Sequence, residues 1–187
     1  MRSLLLPAAD WPVLRKASLL ALAGALIAGC FGILHDQITY TISPEYFTRM
    51  KFDQFRAADF GFPKRFFVAE IGFLGTWWAG LIIAWFLARI ALPKFASPAK
   101  RVMKAMAILV SITIVFGTVG YFLGPTLFGN RPGWREALDS MGVTDPTAFH
   151  RVAAIHLGSY AGALLGWIAM MVRFLRCGGD HLPPRQI

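Results

Sequence analysis

Apolar residues run through the chain in four long blocks, at about 17–34, 66–88, 105–128 and 152–172. Each is close to the roughly 20 residues that a helix needs to cross a bilayer. The polar stretches between them carry clear helix punctuation. Ser43-Pro44, Ser97-Pro98 and Asp145-Pro146 each set a capping oxygen before a proline at the first helical position. Pro63 serves the second block in the same way, and Asp10 with Pro12 marks an N-terminal lead-in. These signals predict helices over about 63–90, 98–123 and 146–176. Gly124-Pro125 is expected to close the third, because proline removes a backbone donor and clashes with the preceding turn. The pattern predicts an all-α integral membrane protein: a single domain over 1–187, built as a four-transmembrane-helix bundle.

The connection between the first two blocks reads HDQITYTISPEYFTRMKFDQFRAADFGFPKR. Ile38 to Ile42 alternates and is β-branched, which predicts an extended segment. Residues 44–56 then predict a short helix bearing Tyr46, Phe47, Met50, Phe52 and Phe55, interleaved with Arg49, Lys51 and Arg56. Such a helix suits the membrane surface and equally suits a cap over the bundle mouth, so the outer loop is partly helical. A second short helix is expected at about 133–141, ended by Gly142. Small residues recur every four positions: Gly24, Ala28 and Gly32; Gly120 and Gly124; Gly158, Gly162 and Gly166. These stripes allow close backbone approach. Packing within the bundle is the first expectation; a homo-oligomer or a membrane-complex partner is the second.

Composition strengthens the membrane reading. Of 187 residues 56% are hydrophobic, mean hydropathy is +0.54, and no polar half could form a soluble domain. The net charge of +9 is not spread evenly. With the N-terminus inside, the inner segments hold eleven cations: Arg2, Arg15, Lys16, Arg89, Lys94, Lys100, Arg101, Lys104, Arg173, Arg176 and Arg185. Only Asp10 and Asp180 oppose them, whereas the outer segments balance eight cations with eight acids. The whole excess falls on one face, as the positive-inside rule requires. Both termini are therefore expected in the cytoplasm, in a cell membrane that by style of sequence is a bacterial inner membrane. The basic charge reads as orientation and contact with anionic lipid on the inner face; no motif or basic groove points to nucleic acid. Cys30 and Cys177 should lie at different depths, which argues against a disulfide. Ile27-Ala28-Gly29-Cys30 after Arg15-Lys16 resembles a lipoprotein signal with its lipobox, and cleavage there would remove residues 1–29. Because apolarity continues through Phe31 and Leu34, a retained first span is expected instead.

The candidate chemistry lies on the outer side. Glu70 is seven residues past Pro63 and His156 ten past Pro146, about 10 and 15 Å along their helices. Ionisable groups inside a span cost at least about 2.5 kcal/mol when central and need a partner or a polar cavity. A Glu70–His156 contact is therefore the leading expectation. Glu70, Phe73, Trp77 and Leu81 share one face of the second span; Val152, His156, Tyr160, Ala163 and Trp167 share one of the fourth. His35 and Asp36 are expected to end the first span, and His150 to begin the fourth, so all six polar residues can reach one end of the bundle. His35, Glu70, His150 and His156 are the metal-ligand candidates, without a recognised ligand motif. His35 with His156 could also ligate haem from two helices.

The sequence supports three function classes, the first ahead of the other two. One is a small membrane protein whose His/Glu/Tyr pocket binds or moves a proton, metal ion or lipid headgroup. The second is a metal- or haem-dependent membrane enzyme or redox protein. The third is a structural or assembly subunit whose polar residues lock helix packing.

Overall fold

The computed structural model describes residues 11–129 and 131–178 and is all-helical over them. Arg2, Asp10, Asp180 and Arg185, used in the charge partition, lie outside the described residues. Four helices are long and apolar enough to cross a membrane: α1 (Trp11–Ile42), α4 (Lys64–Ala91), α5 (Pro98–Phe128) and α7 (Pro146–Arg176). Between α1 and α4 lie α2 (Pro44–Tyr46), a π-helical turn (Phe47–Lys51), α3 (Phe52–Gln54) and a 3₁₀ turn (Arg56–Ala58). Helix α6 (Pro132–Ser140) precedes α7 and gives way to Gly142, whose φ of 65° is in the left-handed region that glycine adopts freely. Pro44, Pro98 and Pro146 open their helices as read from the sequence, whereas Pro63 is the N-cap residue of α4 and not its first helical position. Ser43 and Asp145 cap, accepting from the amides of Tyr46 and Ala148, and Ser97 makes no capping bond with its side chain.

The bundle is two tight helix pairs, α1 with α4 and α5 with α7, with much looser contact between the pairs. Glycines set this arrangement. A Cβ at Gly32 would collide with the Gly72 carbonyl, and one at Gly80 with the Gly24 carbonyl. In the other pair Gly120 meets the Ala154 carbonyl, Gly124 that of His150 and Gly158 that of Phe116. The stripes seen in the sequence are thus used inside the bundle, together with Gly72, Thr76 and Gly80 on α4. Thr76 donates its hydroxyl across the first pair to the Ala28 carbonyl at 2.8 Å. At the opposite end Lys94 Nζ donates to the Phe174 and Leu175 carbonyls at 2.8 and 2.7 Å, satisfying the last turn of α7.

Two expectations are corrected. Residues 38–42 are helical, not extended, so α1 continues through Cys30 and past Asp36 to Ile42. The threonines accommodate this by bonding back into the helix: Thr39 Oγ1 donates to the His35 carbonyl and Thr41 Oγ1 to that of Gln37. Arg65 of α4 reinforces the turn by donating to the Gln37 carbonyl and to Thr41 Oγ1. Likewise α5 runs through Pro125 to Phe128, because near a helix end only one backbone bond is forfeited and Gly129 N still donates to the Pro125 carbonyl at 2.9 Å.

The segment after α1 folds back as a cap. Tyr46 and Phe47 are buried against Phe149 and Tyr40, which decides for a plug over the mouth and against a surface helix. Glu45 fastens it: its carboxylate accepts from Thr144 N, Thr144 Oγ1 and Asp145 N at 2.9–3.1 Å. The backbone bonds from Asp145 and Thr144 hold this carboxyl below its ordinary value of 4.5.

Two outcomes follow from these contacts. Gly120→Ala or Gly72→Ala should destabilise by about 1–3 kcal/mol through overpacking, while Gly133→Ala, with open space around it, should be neutral; thermal unfolding in detergent that ranks all three alike would contradict the packing. Glu45 has a depressed folded pKa, so its stabilisation is complete above pH 4.5 and is lost as pH falls through the folded value. The melting-temperature gap between wild type and Glu45→Gln should then narrow steadily below pH 4.5, and a gap that widens there would refute the latch.

Candidate metal centre

Because α1 stays helical past residue 36, His35 and Asp36 lie inside the bundle, about 9 Å short of the helix end at 1.5 Å per residue. His156 approaches them from α7. Asp36 is 6% and His156 4% exposed. His35 Nδ1 is 2.9 Å and His156 Nε2 3.3 Å from the same oxygen, Asp36 Oδ1. One ligand atom from each of the three residues falls within 4.8 Å of the others.

The hydrogen bonds around the three residues determine how protons can be placed. His156 Nδ1 lies 2.9 Å from the Val152 carbonyl, which can only accept, so Nδ1 carries the proton. In a neutral ring Nε2 is then a bare lone pair. It faces a carboxylate oxygen, makes no hydrogen bond, and is sealed from solvent. Two acceptors meeting in a buried space repel unless a cation lies between them. His35 can donate from Nδ1 to Asp36, with Nε2 3.3 Å from Ser159 Oγ. If a cation took Nδ1, the Nε2 proton would have Ser159 as its acceptor. Each imidazole therefore has a protein acceptor for the ring N–H that metal binding leaves behind, the usual outer-shell arrangement of ligating histidines.

The cap encloses this group from above. Tyr46 stacks on His156, with ring centroids 4.9 Å apart and planes at 28°. Burial raises the Tyr46 phenol above the ordinary tyrosine value, and the charges of Tyr160 and Asp36 act in the same sense. Below the group a cavity of about 490 Å³ descends between the two helix pairs. Its head is lined by His35, Asp36, Lys51, His156, Ser159 and Tyr160; its lower walls include Ile83, Met106, Leu109 and Trp167. Trp78 on α4 and Tyr160 and Leu164 on α7 line it while more than half exposed, so it opens sideways between those helices.

The fourth-span face read from the sequence lies where the cavity needs it, since His156, Tyr160, Ala163 and Trp167 all line the space. The second-span face does not. Glu70 lies two residues from Gly72, nearly opposite the side of α4 that packs on α1, on a strip with exposed Phe66 and Trp77. It is half-buried, its Oε2 has no partner, and the expected contact with His156 is not formed. Asp36 occupies that role, and Glu70 is outside the ligand group. His150 is also elsewhere, between the rings of Phe128 and Trp134 at 6.1 and 5.9 Å. Haem between His35 and His156 is excluded by space: the rings are 4.8 Å apart, nearly perpendicular, with Asp36 between their nitrogens. Ser159 and Lys51 were not singled out for this site by the sequence. Ser159, three residues from His156 on the same helix, carried a findable signal.

Compared with known proteins, the chain matches no family model, no curated protein and no solved structure.

Asp36→Asn replaces the facing acceptor by an amide that can donate to His156 Nε2. With chelator present, this variant should be more stable than wild type by about 1 kcal/mol, the worth of one buried hydrogen bond. A lower melting temperature for the variant under those conditions would contradict the assigned proton positions.

Proposed function

We propose that this chain is a multi-pass membrane protein binding one divalent transition-metal ion through His35, Asp36 and His156. The observation that carries the reading is the approach of His156 Nε2 to Asp36 Oδ1 at 3.3 Å, a buried contact that needs a cation to hold it, in a group of three ligand atoms. Two imidazoles and a carboxylate suit zinc or iron better than calcium or magnesium, which prefer all-oxygen sites. Three protein ligands also leave a coordination position free, as in metal sites that act on a ligand. An ion held by these residues would be reachable from the cavity that they line together with Tyr160 and Lys51.

The orientation proposed for the membrane is the cationic end inside. Among the described residues that end carries Arg15, Lys16, Arg89, Lys94, Lys100, Arg101, Lys104, Arg173 and Arg176 and no acid. The metal centre and cap then face the outer side, the periplasm if the membrane is a bacterial inner membrane.

Chelator-stripped protein in detergent should take up one equivalent of Zn²⁺ or Co²⁺, read by elemental analysis and by the cobalt absorption spectrum. His156→Ala and Asp36→Asn should lose it, and Ser159→Ala should weaken it by roughly 10–100-fold, as outer-shell changes do. Glu70→Gln and His150→Ala should bind like wild type. Absence of a stoichiometric metal in the wild type would leave a proton as the cation in the gap and overturn the metal assignment.

A further inference from the structure

The cavity beneath the centre has a composition of its own. Its walls are thinned by small residues, among them Ala28, Gly72, Gly75, Ala79, Gly80 and Ala163. The space is therefore mainly apolar, with its ionisable groups gathered at one end. At about 30 Å³ for a water-sized group, 490 Å³ holds roughly 16 of them, the scale of one long chain and not of a two-chain phospholipid. It also lies within the roughly 300–1,000 Å³ typical of small-molecule sites.

Lys51 supplies the second element. It ends the π-helical turn of the cap, a local geometry frequent at functional sites. Its Nζ lies 5.9 and 5.8 Å from the ring centres of Tyr46 and Phe55, and the residue lines the cavity beside Asp36. Burial lowers the ammonium below the ordinary lysine value, and the Asp36 charge opposes this. Among the described residues no carboxylate forms a salt bridge with it. With a divalent ion on His35, Asp36 and His156, the head of the cavity carries positive charge in excess of its single carboxylate.

We infer that the cavity binds an amphiphile with a single long acyl or prenyl chain, its anionic oxygen headgroup lying between Lys51 and the open coordination position of the metal. This deepens the proposed metal reading and rests on it for one of the two cationic contacts. The chain follows the apolar walls toward Trp167, and the sideways opening between α4 and α7 lets it in from the bilayer. A fatty carboxylate and a prenyl phosphate share the required chemistry.

The test uses full-length protein in phosphatidylcholine nanodiscs, with dibrominated palmitate quenching the tryptophans of the cavity wall. Palmitate, farnesyl phosphate, hexadecanol and acetate then compete for the site. Palmitate or farnesyl phosphate should relieve the quenching, and the tighter of the two identifies the headgroup. Hexadecanol should compete at least tenfold more weakly, and acetate not at all. Lys51→Met should weaken the anionic competitors at least tenfold. Gly75→Leu should block binding by filling the cavity; a Cβ at Gly75 meets nothing within 4 Å, so the side chain starts into open space. Retained metal uptake by that variant reports an intact fold. Equal competition by hexadecanol, or unchanged binding in both variants, would overturn the inference. If the wild type takes up no metal yet the Lys51- and Gly75-dependent binding persists, the metal assignment fails and the amphiphile site stands.

Discussion

Backbone contact within each helix pair is the constraint from which the rest of this structure follows. Where Gly32 meets Gly72 and Gly120 meets Ala154, the helices approach as closely as their main chains allow. In a membrane such contact takes over the role that water-driven burial has in soluble proteins. Helices drawn together so tightly in two pairs cannot also close on one another between pairs with the same small residues. The space left over becomes the cavity, and the polar side chains near one end become its head. Site and scaffold are two results of one distribution of glycines.

Much of this was legible in the sequence, and the exceptions have physical causes. Spans, proline starts and the fourth-span polar face depend on local rules, chiefly 3.6-residue periodicity and capping. The pairing of Glu70 with His156 failed because depth was counted and rotation about the helix axis was not. Gly72, Thr76 and Gly80 mark the α1-facing side of α4 and turn Glu70 away. That stripe was present in the sequence and would have corrected the pairing. The helical continuation of α1 was harder to see, since Ile38 to Ile42 has strand-like residues. Its helicity depends on threonine back-bonding and on Arg65, a residue 24 positions beyond Thr41.

The hydrogen bonds of the site are distributed unevenly. A cluster that serves packing alone satisfies its own donors and acceptors. Here the outer atoms of both imidazoles have partners, whereas His156 Nε2 faces Asp36 Oδ1 at 3.3 Å, a contact that needs a proton or another cation between the two atoms.

The aromatic cap has a consequence for supply. With Tyr46 stacked on His156 and Phe47 buried beside it, the direct route from water to the centre is closed. The remaining aperture, between Trp78 on α4 and Tyr160 and Leu164 on α7, faces the apolar girdle of the bundle. With the four apolar helices placed in a bilayer, whatever reaches the centre by that route must first dissolve in lipid. Its relevant concentration is then set by partitioning into the bilayer, so a sparingly soluble compound arrives enriched while an abundant hydrophilic one is filtered out before any residue discriminates between them.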